Sequence, residues 1–147
     1  VEELLDVTFG EDRFRKAAYA LREGVDPIAD LAFVVKDNDE LIATLRFWPV
    51  KIGSYDALLL GPIAVKPELQ GQGHGIRLMK HGLKRAKELG HTRVILVGDE
   101  SYYSRLGFSR KCAENITMKG QDDLSRLLAL ELVSGSFYKV NGEITRF

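Results

Sequence analysis

Residues 58–108 read LLLGPIAVKPELQGQGHGIRLMKHGLKRAKELGHTRVILVGDESYYSRLGF, and the rest of the chain is organised around them. Leu58 to Val65 is a short, nearly continuous apolar run bounded by Lys66-Pro67, the pattern of a strand buried on both faces. Pro62 sits inside it and cannot donate to a sheet ladder, so the strand is expected to bulge or lose pairing there. Two readings stay open: an edge strand, or a strand whose backbone groups are left free for a ligand.

The loop Gln70-Gly71-Gln72-Gly73-His74-Gly75 follows at once. Its alternate glycines remove three side chains, so backbone N–H groups can converge on an anion. A helix then begins. Ile76, Met79, Leu83 and Ala86 form its apolar stripe, and Gly90 stops it. The positive end of the helix dipole falls on the same spot, and Arg77, Lys80, Lys84, Arg85 and Lys87 make the helix basic. A pyrophosphate suits such a place. Arg93 to Val97 is the next strand, and residues 100–106 form a short helix with Asp99 as its expected cap.

Two phosphate-loop patterns fail. A P-loop needs Lys then Ser or Thr after its glycines, and Gly75 is followed by Ile76. The dinucleotide fingerprint, started at Gly71, needs glycine at position 76. The spacing present is Gln70-x-x-Gly73-x-Gly75. It resembles the coenzyme A pyrophosphate loop of the GNAT superfamily of N-acetyltransferases, which lies between an apolar strand and a helix. The resemblance extends over about residues 31–110. It includes the following strand, and Tyr103 placed four residues before Gly107-Phe108. Val97-Gly98-Asp99, Tyr102-Tyr103 and Leu106-Gly107-Phe108 look like a subgroup of small bacterial predicted acetyltransferases.

That resemblance implies an α/β (α+β) fold: a mixed, mostly antiparallel sheet, splayed between the strands near 58–65 and 93–97, with helices on both faces. It implies acetyl-CoA as co-substrate and direct acetyl transfer to a primary amine of a small molecule or peptide. The implied cofactor contacts are Ile63, Ala64, Val65, Gln70, Gly71, Gln72, Gly73, His74, Gly75 and Ile76. The implied acid at the departing sulfur is Tyr103. A thiol near pKa ~8.5 and a phenol near ~10 make full proton transfer uphill by roughly 2 kcal/mol, so Tyr103 is expected to hydrogen-bond the sulfur. Tyr103 packing under the Leu106-Gly107-Phe108 turn, and Tyr102 packing or lining substrate, remain alternatives. So do a silent acyl-CoA sensor or assembly module and an unrelated anion-binding domain. No general base stands out among Glu68, Asp99 and Glu100. The family often forms homodimers.

The 147 residues suffice for a single domain with a substantial core, expected over 1–147. Equal numbers of basic and acidic residues, 21 each, argue against a general nucleic-acid binder. Residues 1–50 hold 11 acidic against 6 basic residues, and residues 51–100 hold 8 basic against 5 acidic. A basic middle suits an anionic cofactor, and an acidic first third suits a cationic amine. One cysteine, Cys112, excludes an internal disulfide, fits the cytoplasm and reads as a core residue. No apolar run reaches membrane-spanning length. His74, His81 and His91 show no metal spacing; His74 is expected to offer its amide, the other two to lie at the surface.

Elsewhere, helices are expected over 1–9 and 11–23, the second capped by Asp12 and stopped by Gly24. The family's opening strand has no match before Val1, so it is expected to be missing or to lie outside this sequence. Leu31–Lys36 and Leu41–Val50 read as a hairpin, closed by Trp48-Pro49 and followed by a turn over Lys51–Asp56. A strand is expected over Ser109–Ala113, turns over Ile116–Ser125, a strand over Leu127–Val133 and a short strand in the tail.

Overall fold

The structure, a computed structural model, describes the backbone of residues 17–147 and side chains from residue 20. The helix expected over 1–9, the Asp12 cap and the start of the helix expected over 11–23 lie outside the described residues. Helix α1 (Ala17–Arg22) precedes strands β1 (Ala32–Asp37), β2 (Glu40–Ile52) and β3 (Tyr55–Val65). Helix α2 (His74–Glu88), strand β4 (Arg93–Val97) and helix α3 (Glu100–Tyr103) follow, then β5 (Ile116–Met118), β6 (Leu127–Glu131) and β7 (Gly142–Arg146). The sheet runs β5-β7-β2-β3-β4-β6, with β1 also paired to β2. Among the described strands β3–β4 and β5–β7 pair in parallel, and the other pairs are antiparallel.

Asn38 and Asp39, both at positive φ, make the two-residue turn between β1 and β2. β2 does not end at Trp48-Pro49 but continues to Ile52, and the following turn shrinks to Gly53-Ser54. Proline is tolerated because of its phase. The tight Ile52–Tyr55 closure turns even-numbered residues of β2 toward β3 and odd-numbered ones away. Pro49 therefore presents its missing N–H to the interval between β1, whose pairing stops at Arg46, and β7, whose pairing starts at Val50. The carbonyl of Phe47 on that same side takes the N–H of Ile28.

Alternation along the strands fills two cores. Ala43, Leu45, Phe47, Leu58, Leu60, Val94, Leu96 and Leu128 face α2, meeting Leu78, Met79, Leu83 and Ala86. Trp48, Val50, Ile52, Ala57, Leu59, Ile95, Leu127 and Ala129 face the other way, against Leu21 of α1 and the C-terminal segment. Burying each such large apolar side chain contributes about 1.5–3 kcal/mol. In α2 the buried stripe is led by Leu78 as well as Met79, while Ile76 is only partly buried.

The C-terminal third departs most from expectation. Ser109–Ala113 is not a strand: Ser109 makes one bridge to Ala129, and a 3-10 turn occupies Lys111–Ala113. The Ser109 hydroxyl accepts the N–H of Cys112 and so starts that turn. Ile116–Met118, expected as turns, forms β5 beside β7. β6 stops at Glu131 rather than Val133.

Candidate acyl-CoA site

The site begins where β3 leaves its regular ladder. Leu45 pairs with Ile63 but Phe47 pairs with Leu60, so Gly61 and Pro62 together oppose Arg46. This bulge lies where Pro62 was expected to interrupt pairing. The Trp48 indole N–H donates to the Gly61 carbonyl at 2.6 Å and satisfies the kinked backbone. The added residue also shifts the phase of β3. Leu58 and Leu60 face α2 before the bulge, and Ile63 and Val65 face it afterwards.

β4 runs parallel to β3 but pairs with it only at Leu58–Val94 and Leu59–Ile95. Past those residues the strands part, and β4 continues against β6 alone as far as Val97–Leu127. The freed edge of β3 has a definite polarity. The Lys66 N–H donates to the Ile42 carbonyl at 2.8 Å, which sets the even-numbered residues after the bulge toward β2. Ala64 spends its backbone groups on Thr44 and offers none to the gap. Ile63 and Val65 present theirs to it, and the Val65 carbonyl takes the Gln70 side-chain N–H at 3.1 Å.

At the head of α2, Gly71 and Gly73 both hold φ +83, which only glycine adopts without strain. Among the described residues, the N–H groups of Gly71, Gln72, Gly73, His74, Gly75 and Ile76 donate to no carbonyl or side chain; the next, of Arg77, returns to the Gly73 carbonyl. The Arg77 guanidinium folds back over this turn, 3.3 Å from His74 Nδ1. A cavity of about 490 Å³ connects the turn with the split strands. Ile63, Val65, Gln70, Gly71, Gly73, His74, Gly75, Ile76 and Tyr103 all line it, as do Leu69, Tyr102 and Arg105. Ala64 and Gln72 do not. A methyl group on Gly75 would touch the Tyr102 hydroxyl, Ile63 and Val65 at 3.6–3.7 Å, so the bare glycine leaves a slot between helix, strand and tyrosine.

Residues 1–108 match the acetyltransferase (GNAT) family. The chain belongs to this family. Over 111 residues it is 33% identical to the uncharacterized N-acetyltransferase YhbS of Escherichia coli. That match takes in 74% of this chain and 65% of YhbS, so the chain spans less than two thirds of the length of this relative. The crystal structure of E. coli YhbS in complex with CoA superposes with a TM-score of 0.82 at 26% identity, over 99% of this chain and 81% of that one. A GNAT family acetyltransferase from Brucella melitensis, solved with acetyl-CoA, shares the fold at a TM-score of 0.71 and 22% identity, over 100% and 87% of the two chains. The divided sheet, with helices against both faces, is the GNAT architecture expected from residues 58–108.

On this GNAT scaffold Tyr103 is half-buried. Its ring meets Tyr102 edge-on at 4.9 Å and Phe108 at 6.3 Å. Burial, then the neighbouring Tyr102 and Asp99, raise its phenol above the ordinary value. Its hydroxyl has no hydrogen-bond partner among the described residues. Asp99 does not cap α3 with its side chain as expected. Its carboxylate pairs with Arg126 instead, while its backbone carbonyl accepts from Tyr102 and Tyr103. Tyr102 and Arg105, which stand apart from the Gln-x-x-Gly-x-Gly spacing, are brought to the cavity by the turn of α3. Their place within two residues of Tyr103, Tyr102 directly before it and Arg105 on the 3-10 turn after it, was the available signal.

The remaining candidates fall elsewhere. Glu68 is exposed, and its own backbone amide and Lys66 hold its carboxyl below the usual range. Glu100 accepts the Arg110 N–H at 2.8 Å. His81 lies at the surface against Phe33, whereas His91 is half-buried and burial lowers its pKa. Cys112 packs against the second core, with its thiol pushed up to about 11 by burial and by Glu131.

Proposed function

We propose that this chain is an N-acetyltransferase that moves an acetyl group from acetyl-CoA directly to a primary amine. The observation that carries the proposal is the joining of two incomplete hydrogen-bonding surfaces in one cavity. One is the turn of free amides from Gly71 to Ile76; the other is the edge of β3 left unpaired by β4, where Ile63 offers its backbone groups and Val65 its N–H. The first suits a diphosphate, because several N–H donors and the helix dipole add at one point. The second suits an amide-bearing chain laid alongside as an added strand. Coenzyme A has both parts in that order.

Acetyl-CoA supplies an acyl thioester; amine attack on its carbonyl forms a C–N bond and breaks the C–S bond, giving an amide and a free thiol. The N–H groups of Ile63 and Val65 can donate to the carbonyl oxygen as negative charge builds on it. Tyr103 holds its proton firmly, since burial raises its pKa, and can donate a hydrogen bond to the departing sulfur. Loss of the ammonium proton before attack falls to solvent or to a carboxylate outside this cavity.

The test is calorimetric titration with acetyl-CoA, followed by thiol-release assays across polyamines, aminoglycosides, amino acids and peptides. Gly73→Glu places a carboxylate and a side chain in a turn at φ +83, and should weaken acetyl-CoA binding at least about a hundredfold. Unchanged affinity in that variant removes the placement of the diphosphate. Tight binding with no amine turned over would favour an acyl-CoA sensor.

A further inference from the structure

Arg105 stands on the wall of the cavity opposite the glycine turn, and it has no hydrogen bond or ion pair among the described residues. Its guanidinium lies 5.3 Å from the centroid of the Tyr102 ring. That ring is held edge-on by Tyr103, and its hydroxyl reaches the bare face of Gly75. Tyr102 therefore bridges from α3 to the head of α2 and carries a cation on its face. Arg77, by contrast, does not line the cavity and lies on the helix side over Gly73.

We propose that Arg105, oriented by stacking on Tyr102, is a second grip on coenzyme A that holds one of its phosphates from across the cavity. This rests on the reading of the cavity as an acyl-CoA site. Coenzyme A carries a diphosphate and a ribose 3′-phosphate, more negative charge than one turn of neutral amides balances. A guanidinium matches a phosphate oxygen pair bidentately and stacks on an aromatic face at the same time. Tyr102 is the positioning residue: its ring fixes where the cation sits. A tyrosine whose only task was packing would not need a free cation on its outer face.

The experiment is calorimetric titration of the whole chain with coenzyme A and with dephospho-CoA, which lacks the 3′-phosphate. Arg105 is exposed, so Arg105→Gln should melt within about a degree of the unaltered chain while binding coenzyme A about tenfold more weakly. If dephospho-CoA binds both forms equally, the grip is on the 3′-phosphate; if it weakens in step with coenzyme A, the grip is on the diphosphate. Either supports the proposal. Tyr102→Phe should retain most of the affinity, and Tyr102→Leu should lose nearly as much as Arg105→Gln. The double variant Tyr102→Leu/Arg105→Gln should then bind no worse than Arg105→Gln alone, since the ring acts through the cation. Arg105→Gln binding coenzyme A within twofold of the unaltered chain overturns this inference alone. Failure of the unaltered chain to bind coenzyme A overturns it together with the acyl-CoA reading.

Discussion

The ring of Tyr103 rests directly on the backbone of Gly98: a Cβ added at Gly98 would lie 2.3 Å from Tyr103 Cε2 and 2.9 Å from Cδ2. Gly98 follows the last residue of β4, where the strand has left β3 and its N–H donates to the Arg126 carbonyl at 2.8 Å. The missing side chain is thus what lets the tyrosine lie against the end of the split sheet. Gly98→Ala must push the ring by an ångström or more. If Tyr103 serves the departing sulfur, a displacement of that size should cut turnover about a hundredfold. Coenzyme A affinity should fall far less, by under about tenfold, because the glycine turn is untouched and only the Tyr102–Arg105 stack that leans on Tyr103 is disturbed. Turnover in Gly98→Ala equal to that of the unaltered chain would argue that the Tyr103 ring is packing alone.

Burial holds the Tyr103 phenol above its ordinary value, and this gives the residue a pH signature. Its folded pKa exceeds its unfolded one. The neutral form is therefore favoured by folding, and the stabilising contribution is complete below the unfolded value of about 10. It is lost as pH rises through the higher folded value. Turnover should show no falling limb from Tyr103 below about pH 10. Tyr103→Phe should lower turnover by about 10²-fold or more at every pH in that range. Phenolate absorbance of the unaltered chain minus that of Tyr103→Phe should report one group titrating above the ordinary phenol.

Much of the candidate site's backbone geometry was legible because it is written in residues with few alternatives. Pro62 forces a bulge in an apolar strand, and glycines at 71, 73 and 75 leave amides bare. Gly107-Phe108 fixes where Tyr103 falls. What was hidden depends on partners far away in the chain. Pro49 reads locally as a strand end, yet β2 passes through it because β1 stops and β7 starts on either side of its missing N–H. The three residues of β5 carry no periodicity and form a strand only because Gly142–Ile144 lies beside them. Asp99 has the right type and position for a helix cap, but Arg126, 27 residues later, takes its carboxylate. Ala64 shares its run with Ile63 and Val65, and only the register with β2 shows that its backbone is already paired.

The packing of α2 on the sheet makes a prediction about stability rather than chemistry. A Cβ on Gly82 would come within 2.8 Å of Phe47 Cε2 and 3.1 Å of Leu45 Cδ2, both fully buried. Alanine favours a helix interior over glycine by about 1 kcal/mol. Overpacking a closed core typically costs about 1–3 kcal/mol, and both the ring and the leucine must shift to admit the methyl group. Gly82→Ala should therefore destabilise the fold by a net of up to about 2 kcal/mol. Urea unfolding should show a lower midpoint at unchanged slope. A stabilised variant would mean that α2 slides away from Phe47 without loss.

Cys112 offers a test that separates a core thiol from a nucleophile. Burial, with Glu131 adding repulsion, moves its pKa from 9.0 up to about 11. The thiolate fraction at neutral pH is then about a hundredfold below that of an exposed cysteine. Iodoacetamide should alkylate the folded chain correspondingly slowly, with a rate still rising between pH 9 and about 11. The folded pKa is raised, so the stabilising contribution is whole below the unfolded value and lost as pH climbs through that window. Cys112→Ala should remove this part of the alkaline loss of stability while leaving coenzyme A binding unchanged, since Cys112 does not line the cavity proposed to hold it. Rapid alkylation of the folded chain near pH 7 would mean that the thiol opens to solvent far more readily than its place against the second core allows.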